Sequence, residues 1–268
     1  MPFAKNPQDG TRVYFEDDGG DGAPVVLHGG IVDSVDLVRD SEIARALHPD
    51  EFRLIYVDHR GLGRSDKPHQ LKAYAAPLRV ADVVAVLDEL EIERAHFVGT
   101  SYGGRLGFGI GEHAPERVLS LVIGGQQPFA MNPDTPLARM VSDTLAASEE
   151  AGNLEAFVRG LEKLSGIQLP AWQRAAYLDN DPVAVHAASS AMLAEDDISA
   201  DLGAWRVRCL IFVGAGDVDF YDQARRAAQE IPNAEFVSLD EADHIRAHLH
   251  HDVVLPAVLR TLRGVRDL

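Results

Sequence analysis

One short stretch, Gly99 to Gly103, constrains the fold of this chain more than any other. It reads G-T-S-Y-G and fits the pattern G-x-S-x-G. Residues 95–98 before it are mostly apolar, as in a buried strand, and residues 106–113 after it can continue as a helix. A strand, a tight turn centred on Ser101 and a helix form a nucleophile elbow, in which a Cβ at either glycine would collide with a neighbouring element. The stretch therefore predicts an exposed serine with helix N–H groups behind it.

The composition limits the classes of partner. The chain has 268 residues, enough for a sizeable core in one α/β domain. Its net charge of −17 disfavours binding to nucleic acid or to anionic membranes, because both require basic patches. The sequence contains no apolar leader segment and no stretch long enough to cross a bilayer, so we expect a cytoplasmic protein. The single cysteine, Cys209, lies in an apolar run and is expected to be a buried small hydrophobe.

Apolar runs and helical patterns alternate along most of the chain. Strands are predicted at 11–16, 24–27, 52–57, 95–98, 117–124, 209–213 and 234–239, and helices at 41–47, 80–90, 106–113, 221–231 and 249–263. Buried, continuous strands that alternate with helices are typical of a parallel sheet covered on both faces. We therefore predict an α/β fold with a doubly wound, mainly parallel sheet.

Residues 128–205 interrupt this alternation. Prolines break the chain at the start of this segment, and helical patterns then cover 135–148, 154–164 and 182–193 without a strong strand pattern. We predict that residues 128–205 form a helical cap, inserted into a core made of residues 1–127 and 206–268. The large apolar side chains of the segment are expected mostly to pack within the cap, with one or two lining an acyl pocket: Phe157, Trp172, Tyr177 and Met192.

Residues that follow a second strand could complete a site around Ser101. The strand at 24–27 runs into His28, Gly29 and Gly30, where tight glycines allow backbone N–H groups to turn toward a ligand. In acyl transfer, the N–H of Gly30 and that of Tyr102 would then form an oxyanion hole. An ordinary glycine turn is the alternative. The charged residues of the loop at 58–66 are expected to hold that loop together rather than to touch substrate.

With these residues in place, the chain resembles the α/β-hydrolase superfamily. The matching motifs, in the order that the family uses, are H-G-G at 28–30, D-H-R-G-L-G-R-S at 58–65, G-T-S-Y-G at 99–103, G-A-G-D at 214–217 and D-H at 243–244. The resemblance spans nearly the whole chain apart from the cap. It looks most like small serine esterases, lactonases and carbon–carbon bond hydrolases with a lid after the sixth strand.

The resemblance implies a catalytic triad of Ser101, Asp217 and His244. The chemistry agrees, because a serine hydroxyl needs a base such as imidazole, and a carboxylate holds the ring in the right tautomer. Asp219, two residues beyond Asp217, is the alternative acid. A serine at position 101 counts against dehalogenases and epoxide hydrolases, whose nucleophile is an aspartate. Gly30 stands where relatives often carry a bulky aromatic, which suggests more room beside the acyl group.

The function expected from these residues is hydrolysis of a small to medium carboxylic ester or lactone through an acyl-enzyme. The alternatives are a carbon–carbon bond hydrolase or an acyltransferase that uses the same triad, and a ligand receptor with the hydrolase fold. His248, His250 and His251 are expected on the surface. The other histidines considered, His59, His96, His113 and His186, have no partners at metal-ligand spacing, so we expect no metal and no cofactor. The expected partner is a small-molecule substrate, and the oligomeric state, monomer or homodimer, is left open.

Overall fold

The structure is a computed structural model that describes residues 2–240, 242–249 and 251–264. The predicted core segment 206–268 includes Glu241, His250 and residues 265–268, which lie outside the described residues. None of the described helices is long and apolar enough to cross a membrane.

One eight-stranded sheet organises the chain, in the order β1-β2-β4-β3-β5-β6-β7-β8. The strands are β1 (Phe3–Lys5), β2 (Arg12–Asp17), β3 (Ala23–His28), β4 (Phe52–Val57), β5 (Ala95–Thr100), β6 (Val118–Gly124), β7 (Arg208–Gly214) and β8 (Ala234–Leu239). The pairs β1–β2 and β2–β4 are antiparallel, and the other neighbouring strands run parallel. The predicted mainly parallel sheet is confirmed.

Helices cover both faces of the sheet. They are α1 (Val35–Arg39), α2 (Glu42–Ala46), α3 (Ala76–Glu89), α4 (Tyr102–His113), α5 (Pro136–Ala151), α6 (Glu155–Ser165), α7 (Ala171–Leu178), α8 (Pro182–Leu193), α9 (Tyr221–Glu230) and α10 (His251–Arg263). The β7 residues Ile211 and Val213 pack in one core cluster with α3, α4 and α9. Leu210 and Phe212 alternate with them and pack in the opposite cluster with α1, α2 and α10. This alternation is the period of two expected of a strand buried on both faces.

Helices α5 to α8 lie between β6 and β7 in the sequence, within the segment predicted as a cap. Three of them agree with the predicted helical patterns, and α7 was not predicted. With only eight residues after Pro170, α7 is too short for a helical period to stand out. The cap packs on the loop after β3, where Val32 joins a buried cluster with Leu145, Phe157 and other cap residues. The domain boundaries at 127/128 and 205/206 remain a prediction.

The parallel strands bring their carboxyl ends to one edge of the sheet. In an open α/β sheet, that edge is where ligands bind. The ends of β3 and β5 are adjacent, and β7 and β8 lie two and three strands from β5. The loops after these four strands carry, in turn, Gly30, Ser101, Asp217 and His244.

Candidate active site

The turn between β5 and α4 holds Ser101 in a strained conformation. Its φ of 52° and ψ of −112° lie in a region that residues other than glycine rarely occupy. The flanking glycines make the turn possible. A Cβ on Gly99 would lie 2.3 Å from the carbonyl oxygen of Gly103, and one on Gly103 would lie 2.5 Å from the carbonyl oxygen of His28. The close approach of strand and helix therefore explains why both positions are glycine.

Ser101, His244 and Asp217 form one hydrogen-bonded chain. The Oγ of Ser101 lies 3.1 Å from Nε2 of His244, and Nδ1 of His244 lies 2.9 Å from Oδ2 of Asp217. Asp217 is 2% exposed, so its carboxylate is shielded from water where it meets the imidazole. The geometry is that of a nucleophile, a base and an orienting acid.

The environment of His244 favours its protonated form. Burial alone would lower the pKa of His244, but the charge and hydrogen bond of Asp217, helped by the charges of Asp219 and Asp243, outweigh burial and raise it. An imidazolium that forms during a reaction is therefore stabilised by nearby carboxylates.

This electrostatic environment predicts a pH profile. A base must be neutral to accept the proton of Ser101, so kcat/KM should fall as the pH drops through the pKa of His244. Because that pKa is raised, the midpoint should lie above the ordinary value of 6.5. In Asp219→Asn, which removes one of the charges that raise the pKa, the midpoint should move to lower pH. Initial rates from about pH 5 to 9 would measure both midpoints, and an unchanged midpoint in the variant would contradict this account.

Asp219, the alternative acid, has a different partner. Its Oδ2 accepts a hydrogen bond of 3.2 Å from the backbone N–H of Leu137 at the start of α5. Its Oδ1 is buried and has no hydrogen-bond partner among the described residues. Asp219 thus ties the loop after β7 to the cap and adds negative charge near His244, whereas Asp217 bonds the ring directly.

The two predicted oxyanion donors differ in the structure. Tyr102 is the first residue of α4, so its N–H has no acceptor within the helix. The N–H of Gly30, in contrast, already donates a 2.8 Å hydrogen bond to Oδ2 of Asp33. The open space expected beside Gly30 is also taken, since a Cβ on Gly30 would lie 2.8 Å from that same oxygen. The role of Gly30 in an oxyanion hole stays a prediction, and it requires Asp33 to give up this bond.

The site opens into a cavity of about 620 Å³ beneath the cap. All four of the large cap side chains named above, Phe157, Trp172, Tyr177 and Met192, line it, more than the one or two expected. Acidic side chains also line the cavity, among them Asp33 and Asp219, but none of the described lining residues is lysine or arginine. The cavity therefore suits a mainly apolar molecule that is neutral or positively charged.

Two buried histidines near the site are held neutral. His28 and His59 stack with ring centroids 5.6 Å apart. Burial lowers the pKa of His28 to about 3 and that of His59 to about 4. Both rings lie against backbone carbonyl oxygens and so brace the loops around the site, whereas their burial makes them poorly suited to accept a proton.

Hydrogen bonds and ion pairs of its charged residues hold the loop at 58–66 in place. Asp58 accepts backbone hydrogen bonds from Val35 and Arg64. Arg60 is buried and forms ion pairs with the buried Asp82 and with Asp9, which is exposed. The structure thus supports the structural role expected for these residues.

An ion-pair cluster that the sequence did not reveal links the cap to the elbow helix. Glu195, just after α8, pairs with Arg105 of α4 at 3.0 Å and also with Arg79 of α3. One carboxylate therefore joins the end of α8 in the cap to α3 and to α4, the helix that follows Ser101.

The described residues contain no group of three or more His, Cys, Asp or Glu side chains that could hold a metal ion. Cys209 is buried in β7, and burial raises the pKa of its thiol to about 12, so the thiolate is strongly disfavoured.

Comparison with known proteins places these features in context. A family model described as alpha/beta hydrolase fold matches residues 23–250. A non-heme chloroperoxidase of Streptomyces lividans is 28% identical over 96% of this chain and 98% of its own length. A rhodomycin D methylesterase of Streptomyces peucetius is 31% identical over 55% of this chain and 44% of its own. The crystal structure of a hydrolase from Pseudomonas aeruginosa superposes with a TM-score of 0.81 at 26% identity, covering 97% of both chains.

Proposed function

The chain belongs to the alpha/beta-hydrolase family, and from this premise we propose that it is a serine hydrolase that cleaves a small to medium carboxylic ester or lactone. The observation that carries the proposal is the continuous hydrogen-bonded chain from Ser101 through His244 to Asp217, at the edge of a largely apolar cavity. The methylesterase named above supports an ester as the substrate class.

In the proposed reaction, Ser101 Oγ attacks the carbonyl carbon while His244 Nε2 takes its proton. His244 then gives that proton to the leaving alkoxide, which leaves an acyl group on Ser101. Asp217 keeps Nδ1 protonated and Nε2 free to act as the base, and it stabilises the imidazolium. Water, deprotonated by His244, attacks the acyl-enzyme and releases the acid.

In the proposed mechanism, the N–H groups of Tyr102 and Gly30 bind the negatively charged carbonyl oxygen. The N–H of Tyr102 stands at the N-terminus of α4, where the helix dipole favours an anion. The N–H of Gly30 becomes available once Asp33 releases it. Loss of one such donor typically costs about 2.7–4 kcal/mol of transition-state stabilisation.

The lining of the cavity disfavours one alternative. Carbon–carbon bond hydrolysis of a dienoate requires a substrate that carries a carboxylate. None of the described lining residues is lysine or arginine, and the acidic ones would repel such a group. Acyl transfer to an acceptor other than water uses the same acyl-enzyme, and the choice of acceptor depends on what enters beneath the cap.

A panel of chromogenic esters and lactones of increasing acyl length tests the proposal. We expect turnover with a maximum at acyl chains that a cavity of about 620 Å³ can hold. A fluorophosphonate should label Ser101, located by mass spectrometry of the digested protein. Labelling without turnover of any panel member would indicate another acceptor or substrate. Neither labelling nor turnover would favour a ligand receptor with the hydrolase fold and would overturn the proposal.

A further inference from the structure

Asp33 holds a position beside the nucleophile that the proposed mechanism leaves unexplained. Its Oδ2 accepts a 2.8 Å hydrogen bond from the N–H of Gly30, and its Oδ1 accepts one of 3.0 Å from the hydroxyl of Tyr177 on α7. Tyr177 in turn accepts a hydrogen bond from the side-chain amide of Gln173. A carboxyl group on the loop after β3 is thereby held between the predicted oxyanion donor and the cap.

The carboxyl group of Asp33 lies beside the nucleophile. A Cβ on Gly30 would be 2.8 Å from Oδ2 of Asp33 and 3.7 Å from Cβ of Ser101. Asp33 therefore fills the place that a side chain at position 30 would take, next to the nucleophile. A substrate whose carbonyl oxygen reaches the N–H of Gly30 would bring a carbon next to that carbonyl close to this carboxyl group.

Substrate binding requires an exchange of hydrogen bonds at this point. The carbonyl oxygen can use the N–H of Gly30 only if Asp33 gives it up, and Oδ2 of Asp33 then loses its donor while Oδ1 keeps the hydroxyl of Tyr177. Leaving a buried acceptor unpaired is costly. A substrate with an ammonium or hydroxyl group on the carbon next to the carbonyl supplies both halves of the exchange. Its carbonyl oxygen replaces Asp33 at Gly30, and its N–H or O–H replaces Gly30 at Asp33.

The charge of the site points the same way. Burial raises the pKa of Asp33, as expected of a carboxyl group that has hydrogen-bond donors but no cation beside it. An ammonium group on a ligand would meet neither lysine nor arginine among the described residues that line the cavity, and it would supply the cation that Asp33 lacks.

We propose that Asp33 is a specificity-determining residue, and that the enzyme prefers esters of α-amino or α-hydroxy acids. This inference rests on the proposed function, because it concerns the acyl group transferred to Ser101. It adds a substrate class to that function and assigns to Asp33 a role in recognising the substituent next to the scissile carbonyl.

Three methyl esters of nearly equal size test the proposal: methyl isobutyrate, methyl lactate and alanine methyl ester. They carry a methyl, a hydroxyl and an ammonium group at the same carbon. The release of acid is measured by titration near neutral pH. We expect kcat/KM to rise in that order, and to be about tenfold or more higher for alanine methyl ester than for methyl isobutyrate. In Asp33→Asn the preference should fall by about tenfold, with the change mainly in KM for alaninate. Asp33→Ser should behave alike and serves if the asparagine variant fails to fold.

Asp36→Asn is the matched control. Asp36 is exposed in the first turn of α1, three residues beyond Asp33, and pairs with Arg64, so this variant should keep the wild-type preference. Equal kcat/KM for alaninate and isobutyrate, or a preference that survives in both Asp33 variants, would overturn the inference. Ser101-dependent hydrolysis of methyl isobutyrate would in that case leave the proposed function standing.

If none of the three esters is hydrolysed, a second measurement tests the inference: how strongly each ester protects Ser101 from labelling by the fluorophosphonate. Stronger protection by alaninate, lost in Asp33→Asn, supports the inference, and equal protection by all three overturns it.

Discussion

Replacing Ser101 by alanine is expected to reduce ester hydrolysis by about a thousandfold or more. The alanine removes the hydroxyl oxygen that lies 3.1 Å from Nε2 of His244. The remaining catalysis would come from substrate binding and from the N–H of Tyr102, which the substitution leaves in place. Initial rates on the best ester of the panel, measured at high protein concentration, would give the loss.

Ser190→Ala is a suitable control for this experiment. Ser190 lies on cap helix α8 and is not among the residues that line the cavity, so its variant should hydrolyse the same ester at close to the wild-type rate. The Ser101→Ala protein should also fail to react with a fluorophosphonate. Turnover at the wild-type level in Ser101→Ala would exclude the elbow serine as the nucleophile.

The elements that could be predicted from the sequence are those whose own residues follow a clear pattern. The run before Ser101 is apolar and β-favouring, so the strand was predicted to within two residues of its observed end, whereas the helix after Ser101 begins four residues earlier than predicted. The strand at 52–57 and the strand at 234–239 were predicted with the observed bounds. Both segments contain apolar and β-favouring residues, which is the pattern that predicts a strand.

The elements that were missed lack such a pattern. The edge strand β1 has three residues, α1 has five and α7 has eight, too few for a period of two or of 3.6 to be distinguished from chance. Their positions are fixed by long-range contacts instead. The strand β1, for example, exists through its antiparallel pairing with β2.

The part of the candidate site that the sequence could not predict consists of contacts between distant loops. Asp33 meets Tyr177 across 144 residues, and Glu195 meets Arg105 across 90. No local pattern signals either pair, because an aspartate after a Gly-Gly turn and a glutamate after a helix are both ordinary surface residues. The glycine at position 30 offered the one available hint, since an absent side chain leaves space that another group can fill.

Sequence position alone also could not separate Asp217 from Asp219. Both follow β7, and both lie close enough to His244 to raise its pKa. The difference lies in hydrogen bonding, because Asp217 bonds Nδ1 of the imidazole while Asp219 bonds the N–H of Leu137. Two isosteric substitutions turn this difference into a measurement.

Asp217→Asn is expected to lower kcat by about ten-thousandfold, whereas Asp219→Asn should lower it by less than about tenfold. The amide at 217 keeps the shape of the side chain but donates where the carboxylate accepted. It therefore favours the tautomer with the proton on Nε2, which cannot take the proton of Ser101. The amide at 219 removes only a charge that does not bond the ring.

The comparison is informative because each variant removes one negative charge near His244, but only Asp217→Asn also replaces a hydrogen bond to the ring. The charge of Asp217 raises the pKa of His244 more than that of Asp219 does, so a purely electrostatic role for the acid would shift the pH midpoint in the same direction in both variants, and further in Asp217→Asn. A role in fixing the tautomer gives a large loss of kcat for Asp217→Asn that raising the pH does not restore. A large loss in Asp219→Asn with a small one in Asp217→Asn would move the orienting role to Asp219. It would also require His244 to turn away from the carboxylate that it contacts at 2.9 Å.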